Sequence, residues 1–150
     1  MVVIPPASGT LLALDHSRAA TGVAIGTMEL RTARALTVLR MKDEDQRLAA
    51  LAALMQEWAP VAWVMGLPLD RDGGEQAQTR RVRRLAERLQ QRTGLPLFFH
   101  DERYTTVVAE DALRQSGLRP GAVAQNADAE AAREILQSYL DALQSRNAVP

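Results

Sequence analysis

The chain has 150 residues, 18 Lys+Arg against 18 Asp+Glu, and no Cys. That is the length of one domain, 1–150, and a chain this size buries about 68–70% of its unfolded surface without staples. The missing Cys excludes disulfides, thiolate metal centres and a thiol nucleophile, and His16 and His100 are too few for a His-rich metal site.

The first seven residues, Met1 to Ala7, read as a loose tail. Thr10–Asp15, Thr21–Gly26 and Ala35–Arg40 are short apolar runs with β-branched residues, separated by polar turns, and predict three strands joined as hairpins. Leu48, Leu51, Ala52, Leu54, Met55 and Trp58 then recur at helical spacing after the acidic start Asp43-Glu44-Asp45, and Pro60 stops that helix. Val61–Met65 is a continuous apolar run, as expected of a strand covered on both faces, and Gly66-Leu67-Pro68 should break it. A polar helix over 75–91 carries Val82, Leu85, Ala86 and Leu89 on its buried stripe. Leu97–His100 is a fifth strand, running into Asp101-Glu102. Thr105 or Thr106 caps a helix to about Gln115. Gly117–Ala127 reads as a Gly/Pro loop, and Asp128 opens a last helix with Ala132, Ile135, Leu136, Tyr139 and Leu143 on one face. The order β-β-β-α-β-α-β-α-α predicts an α/β fold, a five-stranded mixed sheet with helices on its faces.

Charge and composition restrict the functions open to such a fold. With a net charge of zero, any nucleic-acid contact must rest on a local basic patch. Two Trp, two Tyr and two Phe are too few for a broad base-stacking surface. No run of 18 apolar residues is present, and Met1-Val2-Val3-Ile4-Pro5-Pro6 lacks the basic head and long apolar stretch of a signal peptide. The expectation is a soluble cytoplasmic protein with no membrane partner.

Three acidic positions stand at element ends: Asp15 after the first strand, Asp101-Glu102 after the fifth, and Asp128 at the last helix. In open α/β sheets sites lie beyond the carboxyl ends of the strands. Carboxylates meeting there without His or Cys suit a hard cation such as Mg²⁺ or Mn²⁺, and two such ions about 3.5–4 Å apart can clamp the attacking and leaving oxygens of a phosphodiester. Each acid also has a plain reading: Asp15 as a turn former, Asp128 as an N-cap, and Asp101-Glu102 as a solvated strand exit beside Arg103. The densest basic segment is Arg80-Arg81-Val82-Arg83-Arg84, continuing to Arg88 and Arg92. Arg80, Arg84 and Arg88 share one helix face and could contact successive phosphates; the alternative is a solvated face paired with Glu75 and Glu87.

Four segments resemble the YqgF/RuvX family of RNase H-like nucleases. They are Leu12-Ala13-Leu14-Asp15 with Gly22-Val23-Ala24; Val64-Met65-Gly66-Leu67-Pro68-Leu69 with Asp72-Gly73; His100-Asp101-Glu102-Arg103-Tyr104-Thr105-Thr106; and Asp128 with Ile135-Leu136-Gln137-Ser138-Tyr139-Leu140. The resemblance implies an RNase H-like fold and a divalent-metal-dependent endonuclease in which Asp15, Glu102 and Asp128 bind Mg²⁺ or Mn²⁺. It implies a structured nucleic-acid substrate: RNA in 5′-end maturation of pre-16S rRNA, or a branched DNA junction if the protein is a Holliday junction resolvase, which requires a homodimer. Arg103 would hold the scissile phosphate or orient Glu102. The chain departs from the family at its first motif, where Ser17 stands for a glycine and Ala19-Ala20 for a basic pair. The expectation is that phosphate affinity moves elsewhere, with Arg18 supplying part of the lost charge. The same departure motivates a third reading, a non-catalytic module that binds RNA or a ribosomal partner.

Overall fold

The computed structural model describes residues 4–101 and 120–148. Its elements are β1 (Thr10–His16), β2 (Thr21–Thr27), β3 (Ala33–Leu39), α1 (Glu44–Trp58), β4 (Ala62–Leu67), α2 (Ala77–Thr93), β5 (Leu97–Asp101) and α3 (Pro120–Ala148). The sheet order is β3-β2-β1-β4-β5. The first three strands pair antiparallel, and β4 and β5 then add parallel to β1. The predicted mixed sheet is therefore the observed one. The helix expected between Thr105 and Gln115 lies outside the described residues.

Side chains on the central strands alternate between two cores. Leu12 and Leu14 of β1, Val23 and Ile25 of β2, and Trp63, Met65 and Leu67 of β4 face α1 and α2. Leu11, Ala13, Ala24, Ala62 and Val64 face α3. Burial on both faces explains why β1 and β4 read as continuous apolar runs. The two helices on the first face bury Leu48 and Leu51 of α1 and Val82, Leu85, Ala86 and Leu89 of α2. Asp43 caps α1 through its side chain, accepting from Asp45 N at 2.8 Å. Ala59 ends the helix in the left-handed region, with Pro60 next.

Two boundaries differ from the expectation. Gly66 and Leu67 do not break β4: they pair with His100 and Asp101, because β5 continues the parallel ladder past them. The last helix does not begin at Asp128. It already includes Pro120, the first described residue of this stretch, so 120–127, expected as loop, is helical.

Candidate active site

Asp15 is the sixth residue of β1, half-buried and directly opposite Gly22 in the antiparallel register. Strand alternation puts it on the side of Leu11 and Ala13, which is the α3 face. His16, the next residue, falls on the α1/α2 face. The carboxyl end of β1 therefore offers one residue to each side of the sheet.

Helix α3 reaches Asp15 because the strands beneath it are lined with small residues. Ala13, Ala24 and Gly22 face Ala129 and Ala132, so backbones approach closely. A Cβ placed on Gly22 would lie 1.9 Å from the Asp128 carbonyl oxygen and 2.8 Å from Ala129 N. The Asp128 turn of α3 thus rests on the residue that pairs with Asp15. Directly opposite Cα atoms in such a ladder are about 4.5–5.5 Å apart, so the two acids occupy adjoining positions. Asp128 is half-buried inside the helix rather than at its cap. It shares the i, i+4, i+7 stripe of Ala132 and Ile135, both fully buried.

The Gln137-Ser138-Tyr139 segment holds that docking. Gln137 Oε1 accepts from Ala33 N at 3.0 Å and its Nε2 donates to Arg31 O at 3.0 Å, fixing α3 to the start of β3. Ser138 Oγ bonds His100 Nε2 at 2.8 Å, fixing it to β5. Tyr139 packs on Phe98 with ring centroids 6.1 Å apart.

Glu102 and Arg103 lie outside the described residues; β5 ends at Asp101, next to Glu102 in the chain. Among the described residues no three His, Cys, Asp or Glu side chains form a metal set. The carboxylates that the backbone brings to this end of β1 are those of Asp15 and Asp128, while His100 is bonded to Ser138 and His16 is turned to the other face. Such a set fits a hard divalent cation.

The opposite face is organised by Arg47, which the sequence pattern did not single out. Its guanidinium is buried and donates to Met41 O (2.5 Å), Ser17 O (2.5 Å) and Arg18 O (2.6 Å). It thereby fastens the β1–β2 turn to α1. Arg47 also donates to His16 Nδ1 at 3.3 Å. A guanidinium cannot accept, so Nδ1 is the acceptor and the His16 ring is neutral with its proton on Nε2. Burial, reinforced by Arg47 and Arg81, holds the His16 pKa down at about 4. Gln78 donates to the His16 carbonyl at 2.6 Å and accepts from Arg81.

The proposed Arg80–Arg84–Arg88 stripe does not act as a unit. Arg88 is bound by Glu44 at 2.5 Å and by Asp45, which raises its pKa. It ties α2 to α1 while its side chain stays partly exposed. Arg80 is exposed outside the pocket described next. Arg83 bonds Glu75 at 2.7 Å and lies over the Phe99 ring at 5.2 Å. Arg84 instead joins Arg18, Lys42, Arg47 and Arg81 around a pocket of about 180 Å³ beside His16 and Glu44.

A mixed sheet in this order, with an acid at the end of its first strand and an acid-bearing helix laid over it, is the RNase H-like arrangement expected from the sequence. The family described as "RuvX: Holliday junction resolvase" matches residues 9–142. A protein of Nitrosospira multiformis named "Putative pre-16S rRNA nuclease" is 46% identical over 143 residues, 95% of this chain and 93% of that one. One of Burkholderia lata with the same name is 45% identical over 134 residues, 89% and 90% of the two chains. Among solved structures, Thermus thermophilus RuvC in complex with a Holliday junction substrate is similar at a TM-score of 0.60 and 16% identity, covering 91% of this chain and 96% of that one. The chain belongs to the RuvX family of RNase H-like nucleases.

Proposed function

We propose that this protein is a divalent-metal-dependent endonuclease acting on structured RNA, and that its task is 5′-end maturation of pre-16S rRNA in the cytoplasm. The observation that carries the reading is the seating of the Asp128 turn on Gly22, directly opposite Asp15. The names of the relatives support the RNA substrate. In this reading Asp15, Glu102 and Asp128 hold Mg²⁺ or Mn²⁺, which when bound supplies Lewis-acid polarisation of the phosphoryl group and of the water that attacks it. The chain itself contributes position. Gly22 admits α3 to the end of β1, the Gln137 and Ser138 bonds keep α3 there, and Arg103 holds the scissile phosphate.

The test is a cleavage assay with Mn²⁺ or Mg²⁺ on three labelled substrates: single-stranded RNA, a structured pre-16S rRNA end, and a four-way DNA junction. Wild-type protein is compared with Asp15→Asn and Glu102→Gln. The expected result is metal-dependent cutting of the rRNA end that both variants lose while remaining folded. Undiminished cutting by Glu102→Gln removes that residue from the catalytic set. Symmetric cutting of the junction alone, together with a dimer in solution, replaces the rRNA reading by a resolvase, which the family description favours. Retained RNA binding without cutting of any substrate overturns the nuclease reading in favour of a binding module.

A further inference from the structure

On the face of the sheet away from the acids, five cations line one pocket. They come from four stretches of chain: Arg18 from the β1–β2 turn, Lys42 from the segment after β3, Arg47 from α1, and Arg81 and Arg84 from α2. Its volume of about 180 Å³ accommodates on the order of six waters, enough for a phosphate group with part of its hydration. Glu44, the one acid among the lining residues, is neutralised by Arg88 at 2.5 Å. The cations are held in place. Arg47 is buried and spends its donors on Met41, Ser17 and Arg18 carbonyls, so it sets the turn carrying Arg18 and adds charge from beneath. Arg81 is braced by Gln78, itself anchored on the His16 carbonyl. Arg18, Lys42 and Arg84 line the pocket as exposed residues.

Like-charged side chains gathered from separated elements repel one another in the free protein, and the fold invests buried hydrogen bonds in keeping them together. An anion bound among them relieves that repulsion. The pocket adjoins the carboxyl end of β1, where His16 forms its wall and Asp15, one residue earlier, faces the other side.

We propose that this pocket is a phosphate-binding subsite that grips a non-reacting phosphate of the nucleic-acid strand whose scissile phosphate lies at Asp15 and Asp128. The proposal rests on the nuclease reading for the location of the scissile phosphate, but the pocket's affinity for phosphate does not depend on cleavage. The phosphate is either an internal phosphodiester or a terminal phosphomonoester of that strand.

Binding is measured by fluorescence anisotropy in EDTA, with a 3′-labelled 12-nucleotide single-stranded RNA carrying either a 5′-hydroxyl or a 5′-phosphate, over a salt series. Arg84→Gln and Lys42→Gln alter the pocket from two different elements. Arg34→Gln, on the edge strand and paired with Ile25 away from the β1 carboxyl end, removes the same charge elsewhere. Each pocket variant should weaken binding about 5- to 10-fold and flatten the log Kd against log salt slope by about 0.7, one phosphate contact on a single strand, and Arg34→Gln should leave the slope unchanged. A 5′-phosphate preference of the wild type that both pocket variants abolish identifies the terminal phosphomonoester; equal affinity for the two RNAs, with the slope loss, identifies an internal phosphodiester. Slopes for the pocket variants equal to that of Arg34→Gln overturn the proposal. Slope loss without metal-dependent cleavage by the wild type leaves the subsite standing and removes the nuclease reading. Cleavage without slope loss does the reverse.

Discussion

Gly22→Ala tests the geometry on which the active-site reading depends. The added methyl would sit 1.9 Å from the Asp128 carbonyl oxygen, 2.3 Å from its carbon and 2.8 Å from Ala129 N. All three are backbone atoms, so no rotamer change relieves the clash. To reach even 3.0 Å the Asp128 turn must withdraw by about 1.1 Å. That turn is continuous with Ala132, Ile135 and Leu136, fully buried against the sheet, so the withdrawal loosens close packing. Overpacking of this kind costs typically 1–3 kcal/mol, and about 3 kcal/mol is expected here from urea unfolding. A misplacement of about 1 Å in a catalytic group can cost 10²-fold in rate. kcat for Mn²⁺-supported cleavage should therefore fall about 100-fold at a temperature where the variant is still folded. Gly26→Ala is the control. Its methyl would meet Thr32 O at 2.7 Å and the side-chain end of Leu136 at 3.2 Å, four residues further along β2. It should lose about 1–2 kcal/mol and keep kcat. A Gly22→Ala protein with wild-type stability and rate refutes the seating of α3. Lost stability with a full rate keeps the packing and removes Asp128 from the site.

Two further outcomes follow from the opposite face. Arg47→Leu leaves the Met41, Ser17 and Arg18 carbonyls without their donor; at about 1–3 kcal/mol for each buried acceptor left unsatisfied, some of which recover water, a loss of about 3 kcal/mol is expected. The check is a lower urea midpoint at an unchanged m-value, and a loss below about 1 kcal/mol would show that the turn holds without Arg47. Arg88→Ala should leave the RNA salt slope untouched, because Glu44 and Asp45 already engage that guanidinium; a flatter slope would return Arg88 to the nucleic-acid surface.

Most of the fold was legible because its signals are local. Leu12-Ala13-Leu14 and Trp63-Val64-Met65 announce strands buried on both faces, and Val82, Leu85 and Leu89 announce one helix stripe. The start of α3 was not legible. Pro120-Gly121 and Gln125-Asn126 are turn formers by local preference, and Asp128 has the chemistry of a cap. The helix extends through them from a body anchored by Ala132, Ile135 and Tyr139 on the sheet. The partner of Arg88 was hidden for a different reason. Helix spacing groups Arg88 with Arg84, but the acids that claim it are 43 and 44 residues away on α1. Arg47 resembles any solvated arginine in a first helical turn, since nothing near it in sequence marks the Ser17 and Arg18 carbonyls as its acceptors.

These misses share a physical cause, and it bears on how the site is assembled. Asp15 and His16 are adjacent in β1, yet the pleat sends one toward α3 and the other toward α1 and α2. An acid-bearing helix closes on the first face because Gly22 and Ala24 leave room for it. On the second face Arg47 pins the β1–β2 turn and five cations collect around His16. The turn from Ser17 to Ala20 therefore lies at the end of the sheet where the side bearing Asp15 and the cation-rich side meet. Ser17, where the related motif carries glycine, works as a turn former here: its Oγ donates to Ala20 O at 3.0 Å, and Ser17 N bonds the same carbonyl at 2.8 Å. With that turn closed on itself and held by Arg47, Lys42, Arg81 and Arg84 of neighbouring elements line the same pocket as Arg18. Ser17 closes the turn where the related motif carries glycine, and the cations nearest that turn come from the segment after β3, from α1 and from α2.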